Sequence, residues 1–160
     1  MTPSQWHDDV RNRDAGHDAM QIAVFDYLRD MPTGPSPFYE CNGYERTGVY
    51  FEMPFRGGGH ILAWGDVVEV WQQIVTPHEG YSYTKKKYVV WEIKPKIYSV
   101  GAVVRQCVAL EDIAKSALMT DRGPTQYDVL IIPAVTSDDP KLGELRHVHF
   151  AAAWDGERLS

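Results

Sequence analysis

With 160 residues, a net charge of −6 and ordinary apolar and charged fractions, the chain has the size and balance of one globular domain with its own core. The acidic balance excludes a protein that coats nucleic acid by bulk attraction, so any such contact must be local or bridged by cations. No apolar run approaches the roughly 20 residues of a membrane-spanning helix, and Cys41 and Cys107 are too few for a disulfide framework.

Met1 to Arg13 is polar, is expected to be poorly ordered, and lacks the basic-then-apolar pattern of a secretory signal. A reducing cytoplasm is therefore the expected setting. From Asp14 to Met31 the residues Met20, Val24, Tyr27, Leu28 and Met31 recur at helical spacing, with Asp14 as N-cap and Pro32 as the stop. Pro32 to Pro37 reads as a loop. Strand formers follow at Gly48 to Phe55, then a turn at Arg56-Gly57-Gly58-Gly59. A second extended segment runs as His60 to Trp64 and Val67 to Trp71, with Gly65-Asp66 between them. Thr76 to Gly80 is a turn. Lys85-Lys86-Lys87, the only dense basic run, reads as a solvated turn, with phosphate contact as its functional alternative.

Tyr88 to Ile93 is a third strand, ended by Pro95. A second helix spans Gly101 to Leu118, with Val103, Cys107, Leu110, Ala114 and Ala117 on one stripe, which makes Cys107 a buried thiol. Asp128 to Val135 has the length and apolar character of a buried strand, and His147 to Trp154 reads as the last one. The order is α, three β, α, two β. It predicts a single domain over 1–160 with a central mixed sheet flanked by helices, poorly ordered at 1–13 and 155–160. The second helix is placed to act as a crossover between parallel strands.

The chemistry concentrates in one constellation. Residues two apart on a strand share a face, so Glu92 and Lys94 project together while Ile93 points into the core. Asp66 opens the apolar run Asp-Val-Val-Glu-Val-Trp, and a helix carrying Arg105-Gln106 follows Lys94. If the two strands pair, two carboxylates converge beside an ammonium. With a free backbone carbonyl that set suits Mg²⁺, a hard cation that takes oxygen ligands and keeps several waters.

This arrangement resembles the PD-(D/E)XK nuclease superfamily: an aspartate on one strand, Glu/Asp-x-Lys on the next, then a helix often bearing glutamine. Asp66, Glu92, Lys94 and Gln106 hold those places in order, and Glu52 lies on an upstream acidic strand as in some members. The resemblance spans about Asp14 to Val135. It implies a restriction-endonuclease-like fold and cleavage of DNA or, less often, RNA. It also implies Mg²⁺ or Mn²⁺ held by Asp66, Glu92 and the carbonyl of Ile93. Lys94 would assist the attacking water and Gln106 would orient groups at the site. Lys85, Lys86, Lys87, Lys96 and Arg105 are the candidate substrate contacts, and a homodimer or partner protein is a possible assembly. Glu69, three residues past Asp66, is the alternative acid but faces the other way on a regular strand.

Two readings of other classes stand beside this one. The same fold can serve as a non-catalytic nucleic-acid- or protein-binding module. Alternatively, His147 and His149, two apart on the last strand, can begin a cupin-like metal β-barrel site, with Asp155, Glu157, His60 or His78 as further ligands. There is no nucleotide-cradling loop, no Gly-x-Ser-x-Gly elbow and no Cys-x-x-Cys pair.

Overall fold

A computed structural model describes residues 15–31, 38–119 and 125–160; the expectations for 1–13, for the Asp14 cap and for the Pro32 loop lie outside them. Helix α1 (Ala15–Asp30) buries Met20, Val24 and Leu28, one residue per turn on one stripe. Strands β1 (Glu45–Gly57), β2 (His60–Val75) and β3 (Tyr83–Lys94) follow as an antiparallel meander. Helix α2 (Val100–Leu118) leads to β4 (Thr125–Thr136), which lies parallel to β3. Helix α3 (Leu142–Val148) leads to β5 (Ala152–Trp154), parallel to β4. Parallel neighbours need a crossover, and α2 and α3 supply the two. The five strands lie in the order β1-β2-β3-β4-β5, an open mixed sheet and not a barrel.

The sheet is apolar on both sides because it is covered on both. Val67, Trp71, Val89, Trp91, Ile93 and Ile132 pack under α1. The alternate residues Val68, Val70, Val90, Val129 and Ile131 pack under α2 and α3 with Val103, Cys107, Leu110, Leu142 and Leu145. Cys41 and Cys107 are both buried free thiols. Among the described residues no helix is long and apolar enough to cross a membrane.

Four expectations need correcting. The segment His147 to Trp154 is not one strand: His147 ends α3 and only Ala152–Trp154 is extended. Its His-Val-His-Phe alternation has no face to bury, since Val148 is 63% and Phe150 49% exposed, whereas Leu142 and Leu145 at helical spacing are buried. Lys85, Lys86 and Lys87 are not a turn but interior positions of β3, paired with both β2 and β4. Residues 155–160 are not loose: Leu159 is buried, and Ser160 exchanges two backbone hydrogen bonds with Ala153 at 2.9 Å each. The extended segment split at Gly65-Asp66 is in fact one continuous strand. Glycine is needed there, because a Cβ at Gly65 would stand 2.7 Å from Val68 Cγ2 and 3.0 Å from Val90 Cγ1.

Candidate functional site

Strands β2 and β3 pair from Val75↔Tyr83 to Val67↔Trp91 and then part. Beyond that point β2 keeps β1 as its partner out to the Gly58-Gly59 turn, and β3 keeps β4 out to Lys94↔Val135. Asp66 and Glu92 are the first residues past the last β2–β3 pair, so they stand on the two arms of a fork.

Side chains take over the hydrogen bonding that the ladder gives up. Asp66 Oδ2 accepts the Ile93 N–H at 2.9 Å, as a β2 carbonyl would have done. The Asp66 backbone amide favours the charged form of the Glu92 carboxylate across the fork. Asp66 and Glu92 stand close enough for the charge of one to act on the other. Helix α1 reaches the same point with two residues one turn apart. His17 Nε2 lies 3.2 Å from Asp66 Oδ2, and Gln21 Nε2 donates to the Asp66 carbonyl at 2.9 Å. Burial pulls the His17 imidazole down, but bonding to Asp66 and the charges of Asp66 and Asp18 outweigh it and leave its pKa raised.

Glu92 is strongly perturbed. Burial, then the charge of Asp66, push its pKa well above the usual carboxylate range, against the pull of Lys94 and of the Asp66 amide. Its Oε1 is sealed from solvent and accepts no hydrogen bond from any described residue; Gln21 Oε1 is in the same condition. Unpaired buried acceptors are rare and each costs about 1–3 kcal/mol. Lys94 shares the Glu92 face and donates from Nζ to Gln106 Oε1 on α2. Cys107, beside them, has its thiol pushed up to about 12 by burial and the Glu92 charge, which makes it a packing residue and no nucleophile.

The remaining candidates separate clearly. Ile93 brings its N–H to Asp66 while its side chain lies in the core. Glu52 stands beside Asp66 across the β1–β2 ladder, between Phe51↔Val67 and Met53↔Gly65, with φ of 57°. That left-handed conformation costs a non-glycine residue of order 1–3 kcal/mol and marks a strained spot next to the fork. Arg105 is exposed one residue from Gln106, and Lys96 lies over the Tyr98 ring at 4.9 Å, both near the fork. Lys85, Lys86 and Lys87 lie five or more residues back along β3 from Glu92, roughly 17 Å or more away. The pleat divides them between faces, and Lys87 is engaged with the Glu40 carbonyl and the Tyr44 ring.

Glu69, the alternative acid, faces α1 and is paired throughout. Its Oε1 accepts from Tyr39 Oη at 2.9 Å and Trp91 Nε1 at 2.8 Å, and Arg46 Nη1 stands 3.4 Å from Oε2. The histidine-metal alternative loses its geometry. His147 is helical, His149 lies past the helix end with Nδ1 at 2.7 Å from the Phe150 carbonyl, and Asp155 is occupied by the Glu157 and Arg158 amides. No group of three or more His, Cys, Asp or Glu side chains converges as a metal cage among the described residues.

His17 and Gln21 were not among the sequence candidates. The signal was present: two polar residues four apart, in register with Val24 and Leu28 on the buried stripe of α1, where packing alone calls for apolar ones. No family model, no curated protein and no solved structure matches this chain.

Proposed function

We propose that the protein is a divalent-metal-dependent nuclease of the restriction-endonuclease type that hydrolyses phosphodiester bonds in DNA. The observation that carries this reading is the convergence at the β2–β3 fork of Asp66 and Glu92, with Glu92 Oε1 buried and unpartnered. The donor chemistry fits a hard cation: two carboxylates, one with an oxygen that no described residue serves, at a break in the strand pairing. Asp66 and Glu92 would hold Mg²⁺ or Mn²⁺, which when bound supplies charge neutralisation at the phosphoryl group and acidifies a water.

The chain's own residues have separable tasks. The charge of Asp66 bears on Glu92, with Lys94 offsetting it and His17 standing against Asp66, so Glu92 favours added positive charge beside it. Ile93 and Gln21 fix the Asp66 backbone and carboxylate, so the arrangement does not have to form when substrate arrives. Lys94, tethered by Gln106, presents an ammonium beside Glu92 that can orient an attacking water or offset charge on the phosphate. Supercoiled plasmid incubated with the protein and Mn²⁺ or Mg²⁺ should be nicked or degraded, and chelator should stop it. Intact plasmid and intact single-stranded oligonucleotide under all these conditions, with Mn²⁺ bound, would end the reading.

A second reading, the same fold as a binding module without turnover, has one observation in its favour. Asp66 Oδ2 already holds the Ile93 amide and His17. Calorimetry with Mn²⁺ separates the two: the module predicts no heat of binding and nucleic-acid or protein binding that is indifferent to Glu92→Gln.

A further inference from the structure

Between β3 and α2 lie Pro95 to Ser99, which the reading of Asp66, Glu92 and Lys94 leaves without a task. This crossing is tied down at every step. The Pro95 carbonyl accepts from Thr136 Oγ1 at 2.9 Å, and Ile97 is buried with its N–H on Asp139 Oδ2 at 2.8 Å. The Tyr98 carbonyl accepts from Lys141 Nζ at 2.6 Å, and Ser99 caps α2 by accepting the Ala102 N–H at 3.2 Å. On this anchored backbone the Tyr98 ring is 76% exposed. The anchored backbone fixes where this ring is offered to solvent, and what singles it out is the charge gathered around it.

The surroundings of the ring are cationic. Lys96 Nζ lies over it at 4.9 Å, Lys141 reaches its carbonyl, and Arg105 folds back over the first turn of α2 at Gly101. That first turn carries no acidic residue. Asp139, the nearest acid on the facing loop, is occupied by the Ile97 and Lys141 amides. On a chain of net charge −6 this is a local basic patch around an aromatic face. Tyr98 is four residues from Lys94, so their Cα atoms are at most about 14 Å apart.

We infer that Tyr98 is a stacking platform for an unpaired base, with Lys96, Arg105 and Lys141 holding the flanking phosphates. Every base offers a π-face, but only an unpaired strand exposes it, so the ligand is single-stranded nucleic acid or a frayed end rather than intact duplex. That this strand is the substrate rests on the nuclease reading; that it binds does not.

The test is fluorescence anisotropy of a labelled oligothymidylate and of a duplex of equal length, in Ca²⁺ buffer and again in a Glu92→Gln background so that no turnover erodes the probe. The wild type should prefer the single strand, Tyr98→Ala should weaken it about tenfold or more, and Tyr98→Trp should preserve it. Equal binding by Tyr98→Ala, or duplex bound as tightly as single strand, overturns the inference. Cleavage in Mn²⁺ is scored in parallel. Cleavage that is indifferent to Tyr98 leaves the nuclease standing and removes the platform. Tyr98-dependent binding without any cleavage does the reverse.

Discussion

Two buried acids stand three residues apart on β2, and the sheet gives them opposite surroundings. Glu69 faces α1 inside a closed network in which Tyr39, Trp91 and Arg46 serve its two oxygens, and Tyr39 Oη itself accepts from Trp71 Nε1 at 2.7 Å. Arg46 continues outward to the carbonyls of Leu28, Arg29 and Met31 at and just past the C-terminus of α1. Asp66 sits where the ladder opens, and its partner across the gap, Glu92, keeps an oxygen that no described residue serves. The first acid is satisfied by its own neighbours; the oxygen at the second is not, which is why the proposed site is placed there.

That contrast can be broken or sharpened by substitution. The largest effect is expected at the fork. Lys94→Ala and Glu92→Gln should each lower the cleavage rate by about a hundredfold or more, while the circular dichroism spectrum and melting temperature of the metal-free protein stay level or, for Glu92→Gln, rise. Activity that survives Lys94→Ala removes the catalytic assignment.

The opposite pattern belongs to the Glu69 network. Arg46→Ala strands a buried carboxylate and the helix-end carbonyls, and should cost about 3–5 kcal/mol in urea denaturation. A loss under 1 kcal/mol would mean that this centre is not structural. Mn²⁺ at a hundredfold excess over its Kd should stabilise the wild type by about 2.7 kcal/mol and leave Glu92→Gln where it was. Differential scanning calorimetry with and without the ion reads both.

The smallest effect is a slope. Burial raises the Glu69 pKa above its ordinary 4.5, against the pull of Trp91, Tyr39 and Arg46. Folding therefore takes up a proton there, and this contribution is present at pH below 4.5 and is lost as pH rises through the folded value. Wild-type stability should fall relative to Glu69→Gln as pH is raised from 4 towards 7. Parallel curves would show that Glu69 does not titrate in that window.

The sequence alone determined the elements that bury a face. The α1 stripe of Met20, Val24 and Leu28, the apolar run of β4 and the Val103–Ala114 stripe of α2 were readable because their periods match the surfaces they bury. Strand parity also placed Glu92 with Lys94 and turned Glu69 away from Asp66, since alternation is a property of any strand. Where no face is buried, pattern misled: His147 to Phe150 alternates but is mostly exposed, and three adjacent lysines looked like a turn although their neighbours across the sheet hold them in β3.

Only the tertiary structure decided what depends on the relation between elements. The point where β2 and β3 part is set by the pairing register, which local sequence does not encode, and it is this point that makes a site of Asp66 and Glu92. The roles of His17 and Gln21 were likewise hidden, because a polar residue on a buried stripe announces a partner without saying which. That partner, Asp66, lies 49 residues from His17 and 45 from Gln21 along the chain, and packing α1 on the sheet is what joins them.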